Sequence, residues 1–112
     1  MLESTASARI VLTTARSLED ANRLGRILVE ERLAACATLI PAVESIYAWK
    51  GNLETSSESM LLLKTGSEQV AALEARLHQL HTYETPEFLV LPVEAGSQAY
   101  LAWMFGGLGH RE

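Results

Sequence analysis

The spacing of apolar positions changes several times along the chain, and each change marks an element. Ala8 to Thr14 reads Ala-Arg-Ile-Val-Leu-Thr-Thr, a β-rich run that predicts a short, mostly buried strand. Leu18, Ala21, Leu24 and Leu28 then recur at helical spacing, with Ile27 widening the stripe. Ser17 stands where an N-cap belongs, Glu19 and Asp20 suit the positive end of the helix dipole, and the helix is expected to run to about Leu33. From Ala35 to Trp49 the period drops to two, the signature of a strand, which Pro41 must kink, bulge or confine to an edge. Lys50-Gly51-Asn52 signals a turn. A second long strand, Leu53 to Thr65, ends in Met60-Leu61-Leu62-Leu63, a run that predicts burial on both faces. Ser67 is expected to cap a second helix whose inner stripe is Val70, Leu73, Leu77 and Leu80, with Pro86 as its limit. Phe88 to Val93 predicts a final buried strand. Ser97 to Phe105 predicts a short helix with Tyr100, Trp103 and Met104 on its apolar side, stopped by Gly106-Gly107.

The element order is β-α-β-β-α-β plus a terminal helix, an α+β pattern of the ferredoxin-like split βαβ kind. Right-handed crossovers leave both main helices on one face of the sheet. Residues 1–112 are read as one domain, with loose termini at 1–7 and 107–112. Length then argues for assembly. A helix of about 15 residues is about 22 Å long, whereas hairpin strands of about 13 residues reach about 43 Å. The helices cannot cover that hairpin, and its far half carries Val43, Ile46, Tyr47, Trp49 and Leu53. The second sheet face has no helix assigned to it. Both features call for partner copies, in a number that this argument leaves open.

Composition narrows the setting. Apolar residues make up 48% of the 112, enough for a core and an interface besides. Net charge is −5 with no basic stripe, which excludes nucleic-acid binding. No apolar run approaches the ~20 residues that span a bilayer. The first eight residues include Glu3 and lack the basic and apolar regions of a signal peptide. The single cysteine, Cys36, rules out an internal disulfide and a cysteine-rich zinc site, and fits a reducing cytoplasm.

Five segments resemble the CutA family in order and spacing, within a likeness that runs from about residue 9 to 104. They are Leu33-Ala34-Ala35-Cys36-Ala37 with Pro41, Ile46-Tyr47-Ala48-Trp49-Lys50-Gly51, Leu63-Lys64-Thr65, His81-Thr82-Tyr83-Glu84-Thr85-Pro86-Glu87, and Tyr100-Leu101-Ala102-Trp103. The resemblance implies a ferredoxin-like fold, a stable homotrimer, a cytoplasmic setting, a link to divalent-metal tolerance (copper in particular) and no enzymatic reaction. It also implies a metal position at His81. In enterobacterial members, copper is ascribed to a cysteine at the end of the first strand and two tandem histidines; the second histidine falls on His81, while the cysteine falls on Thr13 and the first histidine on Leu80.

Imidazole is the commonest ligand for Cu or Zn near neutral pH. His78 and His81, three apart on a helix and followed by Glu84, form a second candidate metal pair; two exposed histidines at a helix C-terminus are the plain alternative. Lys64 closes an apolar run and needs a carboxylate or a way out to water, with Glu87 as the expected partner. Tyr47, Trp49, Tyr83 and Trp103 suit a ligand pocket between subunits as well as an interface. Cys36 is either a member of that pocket or a packed apolar residue. Three functions compete with cation-linked tolerance. One is a small-molecule sensor like the nitrogen-regulatory PII proteins, which share the fold and the assembly but use a Gly-rich phosphate loop that this chain lacks. Another is an acylphosphatase-like enzyme, for which Arg16 has no Gly-rich cradle and Asn22 and Asn52 sit in a helix and a turn. The last is a scaffold for another protein.

Overall fold

A computed structural model describes residues 2–4 and 7–109. The elements are β1 (Leu2–Ser4), β2 (Ala8–Ala15), α1 (Leu18–Glu30), β3 (Cys36–Trp49), β4 (Asn52–Gly66), α2 (Val70–Leu80), β5 (Leu89–Pro92), β6 (Ala95–Ser97) and α3 (Gln98–Gly106). A four-stranded antiparallel sheet runs β3-β4-β2-β5, and β1 pairs with β6 in a separate ribbon. Strands β2 and β3 run the same way with β4 between them, which is the split βαβ arrangement expected from the element order. Among the described residues no helix is long and apolar enough to cross a membrane.

Alternation along the strands decides which side chains meet the helices. Val11, Ala15, Leu61 and Leu63 are fully buried with Leu24 and Leu28 of α1 and Leu73 and Leu77 of α2. The opposite parity carries Ile10, Leu12, Met60 and Leu62, which are only half-buried. The apolar run at 60–63 is therefore not buried on both faces, because α3 packs on the second face only at its Ala8 and Gly66 end. Register places Leu89 beside Leu12 and Leu91 beside Ile10 on that same bare side. Strand β5 is exposed along its length, with Leu89 at 55%, rather than the buried strand expected. It is an edge strand on an uncovered sheet.

Local chemistry explains the other departures. Helix α1 stops at Glu30, short of Leu33, because Arg32 takes φ 63 and the Leu33 and Ala34 N–H groups turn back onto the Leu28 carbonyl at 3.0 and 3.2 Å. This is a Schellman-type end with arginine where glycine is usual, so the sequence carries no stop signal there. Helix α2 starts at Val70. Ser67 is not its cap: its N–H bonds the Ser7 carbonyl at 2.6 Å, and Gln69 is the N-cap, with no side-chain bond to the helix's own N–H groups. Ser17 and Ser97 do cap α1 and α3, accepting from the Asp20 and Tyr100 N–H groups at 3.0 and 3.3 Å. On α3 the buried side chains are Leu101 and Met104, while Tyr100 and Trp103 face out. Pro41 lies in edge strand β3 inside a register shift between Ile40 and Val43, with Ala42 at φ 58. Lys50 and Gly51 have φ 50 and 82 between the closing pair Trp49 and Asn52. A two-residue primed turn needs positive φ at both positions, and glycine supplies the second at no steric cost.

Near both ends the described residues are paired with the rest of the chain. Leu2–Ser4 pairs with β6. Leu108 is buried, and Gly109 donates its N–H to the Arg32 carbonyl at 3.0 Å and accepts from Gln69 Nε2 at 2.8 Å. Residues 1, 5, 6 and 110–112 lie outside the described residues. The hairpin of β3 and β4 gives the chain extents of 47 × 27 × 21 Å, and its far half leaves Leu53 80% exposed beside Ile46, Tyr47 and Trp49.

Candidate functional site

Helix α2 ends beside the end of β2, and the chain turns there at His81, the C-cap, which is extended at ψ 145. The imidazole has two partners. The Tyr83 N–H lies 3.0 Å from Nδ1, and Nε2 lies 2.7 Å from the Thr14 carbonyl. A backbone N–H needs an acceptor, so Nδ1 carries the lone pair and Nε2–H donates to Thr14. Both ring nitrogens are thus spent in joining the loop to β2. The Tyr83 ring leans on the His81 ring with centroids 4.7 Å apart, and its hydroxyl donates to Glu58 Oε2 at 2.8 Å. Nearby, Asp20 accepts from Arg23 Nε and Nη2 at 3.0 and 2.9 Å, and the same Nη2 donates to the Leu80 carbonyl at 2.8 Å, tying α1 to the last turn of α2.

Burial pushes the Tyr83 phenol up to about 12, and the hydrogen bond to Glu58 and that carboxylate's charge push the same way. The fold therefore favours the neutral phenol. The stability this supplies is complete below the free tyrosine value of about 10 and is lost as pH rises through about 12. In an alkaline absorbance titration Tyr83 is expected to ionise at about pH 12, with its midpoint lowered in Glu58→Gln. A Tyr83 midpoint at the free tyrosine value of about 10 would contradict the contact.

On the bare face of the sheet, Lys64 and Cys36 are register partners. The ammonium donates to Thr38 Oγ1 at 2.5 Å and stands 3.7 Å from Cys36 Sγ. Glu87 is not its partner within the chain. Lys64 lies across Ile10 from Leu91, and Glu87 precedes Leu91 by four residues, about 13 Å along an extended chain. Tyr47 shares a hydrogen bond with Ser56 at 2.8 Å, and Lys50 Nζ sits 6.0 Å from the Trp49 ring centroid at the hairpin tip. Trp103 stands on α3, 5.5 Å from the Tyr100 ring, beside a groove of about 460 Å³ between α1 and β3 that Cys36 also lines.

The residues singled out by sequence thus fall into separate places: His81 with Tyr83, Cys36 with Lys64, Tyr47 and Trp49 on the hairpin, and Trp103 by the groove. His78 is exposed and Glu87 half-buried, and neither has a hydrogen bond or ion pair among the described residues. Glu58, Thr14, Asp20, Arg23, Thr38 and Ser56 were missed. Glu58 was recoverable only from register, since the bulge sets it opposite Val43. A copper centre does not fit one chain. Among the described residues no three His, Cys, Asp or Glu side chains gather to hold a metal. In this structure both His81 nitrogens are hydrogen-bonded rather than open beside His78, and Thr13 is buried under the helices with its Oγ1 unpartnered.

A family model described as CutA1 divalent ion tolerance protein matches residues 9–106. The divalent-cation tolerance protein CutA of Pectobacterium atrosepticum is 46% identical over 101 residues, covering 90% of this chain and 92% of that protein. The structure of CutA from Synechococcus elongatus superposes with a TM-score of 0.93 at 38% identity, covering 97% of this chain and 96% of that one. A protein from Archaeoglobus fulgidus described as the periplasmic divalent cation tolerance protein CutA gives 0.86 at 33% identity, covering 89% and 97%. The split βαβ sheet, the bulged hairpin and the His81–Tyr83 turn all fall inside the matched span, and the chain belongs to the CutA1 divalent ion tolerance family.

Proposed function

We propose that this chain serves divalent-cation tolerance as a cytoplasmic homotrimer without catalysis, touching copper and other divalent cations weakly at its surface rather than through a site at His81. The observation that carries this reading is the uncovered sheet face, continued by the bare hairpin. A row of half-buried leucines and an exposed edge strand are stable in water only when other copies cover them. The number three and the copper link rest on the family resemblance. The non-catalytic part rests on how the polar groups are used: the His81 nitrogens, the Tyr83 hydroxyl and the Lys64 ammonium all hold the fold.

Cation contact then falls to exposed groups, of which, among the described residues, the His78 imidazole is the best donor for copper. Calorimetric titration with Cu(II) is expected to show weak binding that falls in His78→Ala. No heat from the wild-type protein would remove direct binding from the account. A second reading has an observation of its own. Lys64, Thr38 and Cys36 make one polar spot on an apolar face, the composition of a small-ligand cleft closed by a neighbouring copy. A thermal-shift screen of nucleotides and organic anions in which Lys64→Met abolishes a response favours this PII-like reading, and a flat screen removes it.

A further inference from the structure

The groove between α1 and β3 shares Cys36 with the Lys64 contact, but its floor and its charged rim take no part in that contact. Its floor is Ala37 and Leu39, and Gly25 lets the helix come close, since a Cβ there would stand 3.1 Å from the Ala37 Cβ. One wall is the Trp103 indole, 57% exposed. About 460 Å³ is room for a small organic molecule. The rim carries both signs of charge. Arg26 and Glu30 are four apart on α1 and so lie on the same side of the helix. They do not pair with each other. Arg26 Nε donates to Asn22 Oδ1 at 2.6 Å, which orients the guanidinium while its terminal nitrogens stay open. Glu30 has no hydrogen-bond or ion-pair partner among the described residues.

An apolar floor, an aromatic wall and two separated charges of opposite sign match a small zwitterion with an apolar group. We propose that this groove binds a free aromatic α-amino acid, with its carboxylate on Arg26, its ammonium on Glu30 and its ring between Trp103 and the Ala37–Leu39 floor. Guanidinium takes a carboxylate through two parallel hydrogen bonds, and an exposed aromatic ring prefers an offset or edge contact with another. All of its lining residues belong to one subunit, and since it shares Cys36 with the Lys64 spot of the second reading, the experiment tells the two places apart.

The chain has two tryptophans, Trp49 on the hairpin and Trp103 on the groove, so the two indole N–H signals of isotope-labelled protein report the two places separately. They are assigned with Trp49→Phe. Titration with millimolar L-phenylalanine is expected to move the Trp103 signal saturably and leave Trp49 in place. Phenylpropionate and phenethylamine, each lacking one charge, are expected to bind about tenfold more weakly or worse, as is L-phenylalanine to Arg26→Ala. The last variant changes an exposed side chain outside the core. An unmoved Trp103 signal overturns the proposal, as do equal affinities for the three ligands. Movement of Trp49 alone would place the ligand in the cleft instead. Contacts from Trp103 to a second copy in mixed-label protein would show the groove filled by the assembly.

Discussion

Leu89→Asp is expected to separate the subunits while each stays folded. Leu89 sits on edge strand β5, paired in register with Leu12, which itself faces Leu62 of β4, so the three form one apolar row on the bare face. The side chain is already more than half exposed and lies outside the buried clusters, so in a free subunit the change costs no more than an ordinary surface substitution, about 0.5 kcal/mol. In an assembly that covers the row, the carboxylate must be desolvated without a partner, at several kcal/mol per copy. Symmetry repeats that cost in every subunit. Light scattering should show the proposed trimer fall to single chains, and the melting temperature should drop and lose its dependence on protein concentration. An intact trimer with an unchanged melting temperature would show that this face is not where the copies meet.

His81→Ala is expected to lower stability by about 2–3 kcal/mol while leaving the copper isotherm unaltered. The substitution orphans the carbonyl of buried Thr14 and the N–H of Tyr83 together, and each unsatisfied buried group costs about 1–3 kcal/mol. It also removes the ring that supports Tyr83, so the Tyr83–Glu58 contact should loosen. Urea unfolding at fixed protein concentration reads the first effect and Cu(II) calorimetry the second. Copper affinity lost with stability intact would return His81 to the role of ligand that the family resemblance implies for it.

These two residues show where sequence reading succeeds and where it stops. The apolar periodicities of 8–14, 18–28 and 70–80 placed the strand and both helices because each pattern is a local property of one element. Pro41 announced the bulge, and Lys50-Gly51 the turn, through their own backbone preferences. Arg32 gave no such notice. Its left-handed conformation is imposed by the return of the chain toward Leu28, and nothing in an arginine side chain advertises it. The histidine motif was legible as a motif, but what it does was not. Whether an imidazole binds metal or holds a loop depends on which groups stand opposite it, and the partners of His81 are Thr14, 67 residues away, and the Tyr83 backbone.

The sequence by itself determined the order of the four sheet strands and three helices and the class of fold, but not the β1–β6 ribbon, because helix and strand length, period and turn chemistry all act within a few residues. Only the tertiary structure decided that the 60–63 run is buried on one face, that Lys64 meets Thr38 and Cys36 rather than Glu87, and that the His81 nitrogens are spent. Each of these turns on strand register across long separations in the chain, where a one-residue slip would turn every side chain to the opposite face.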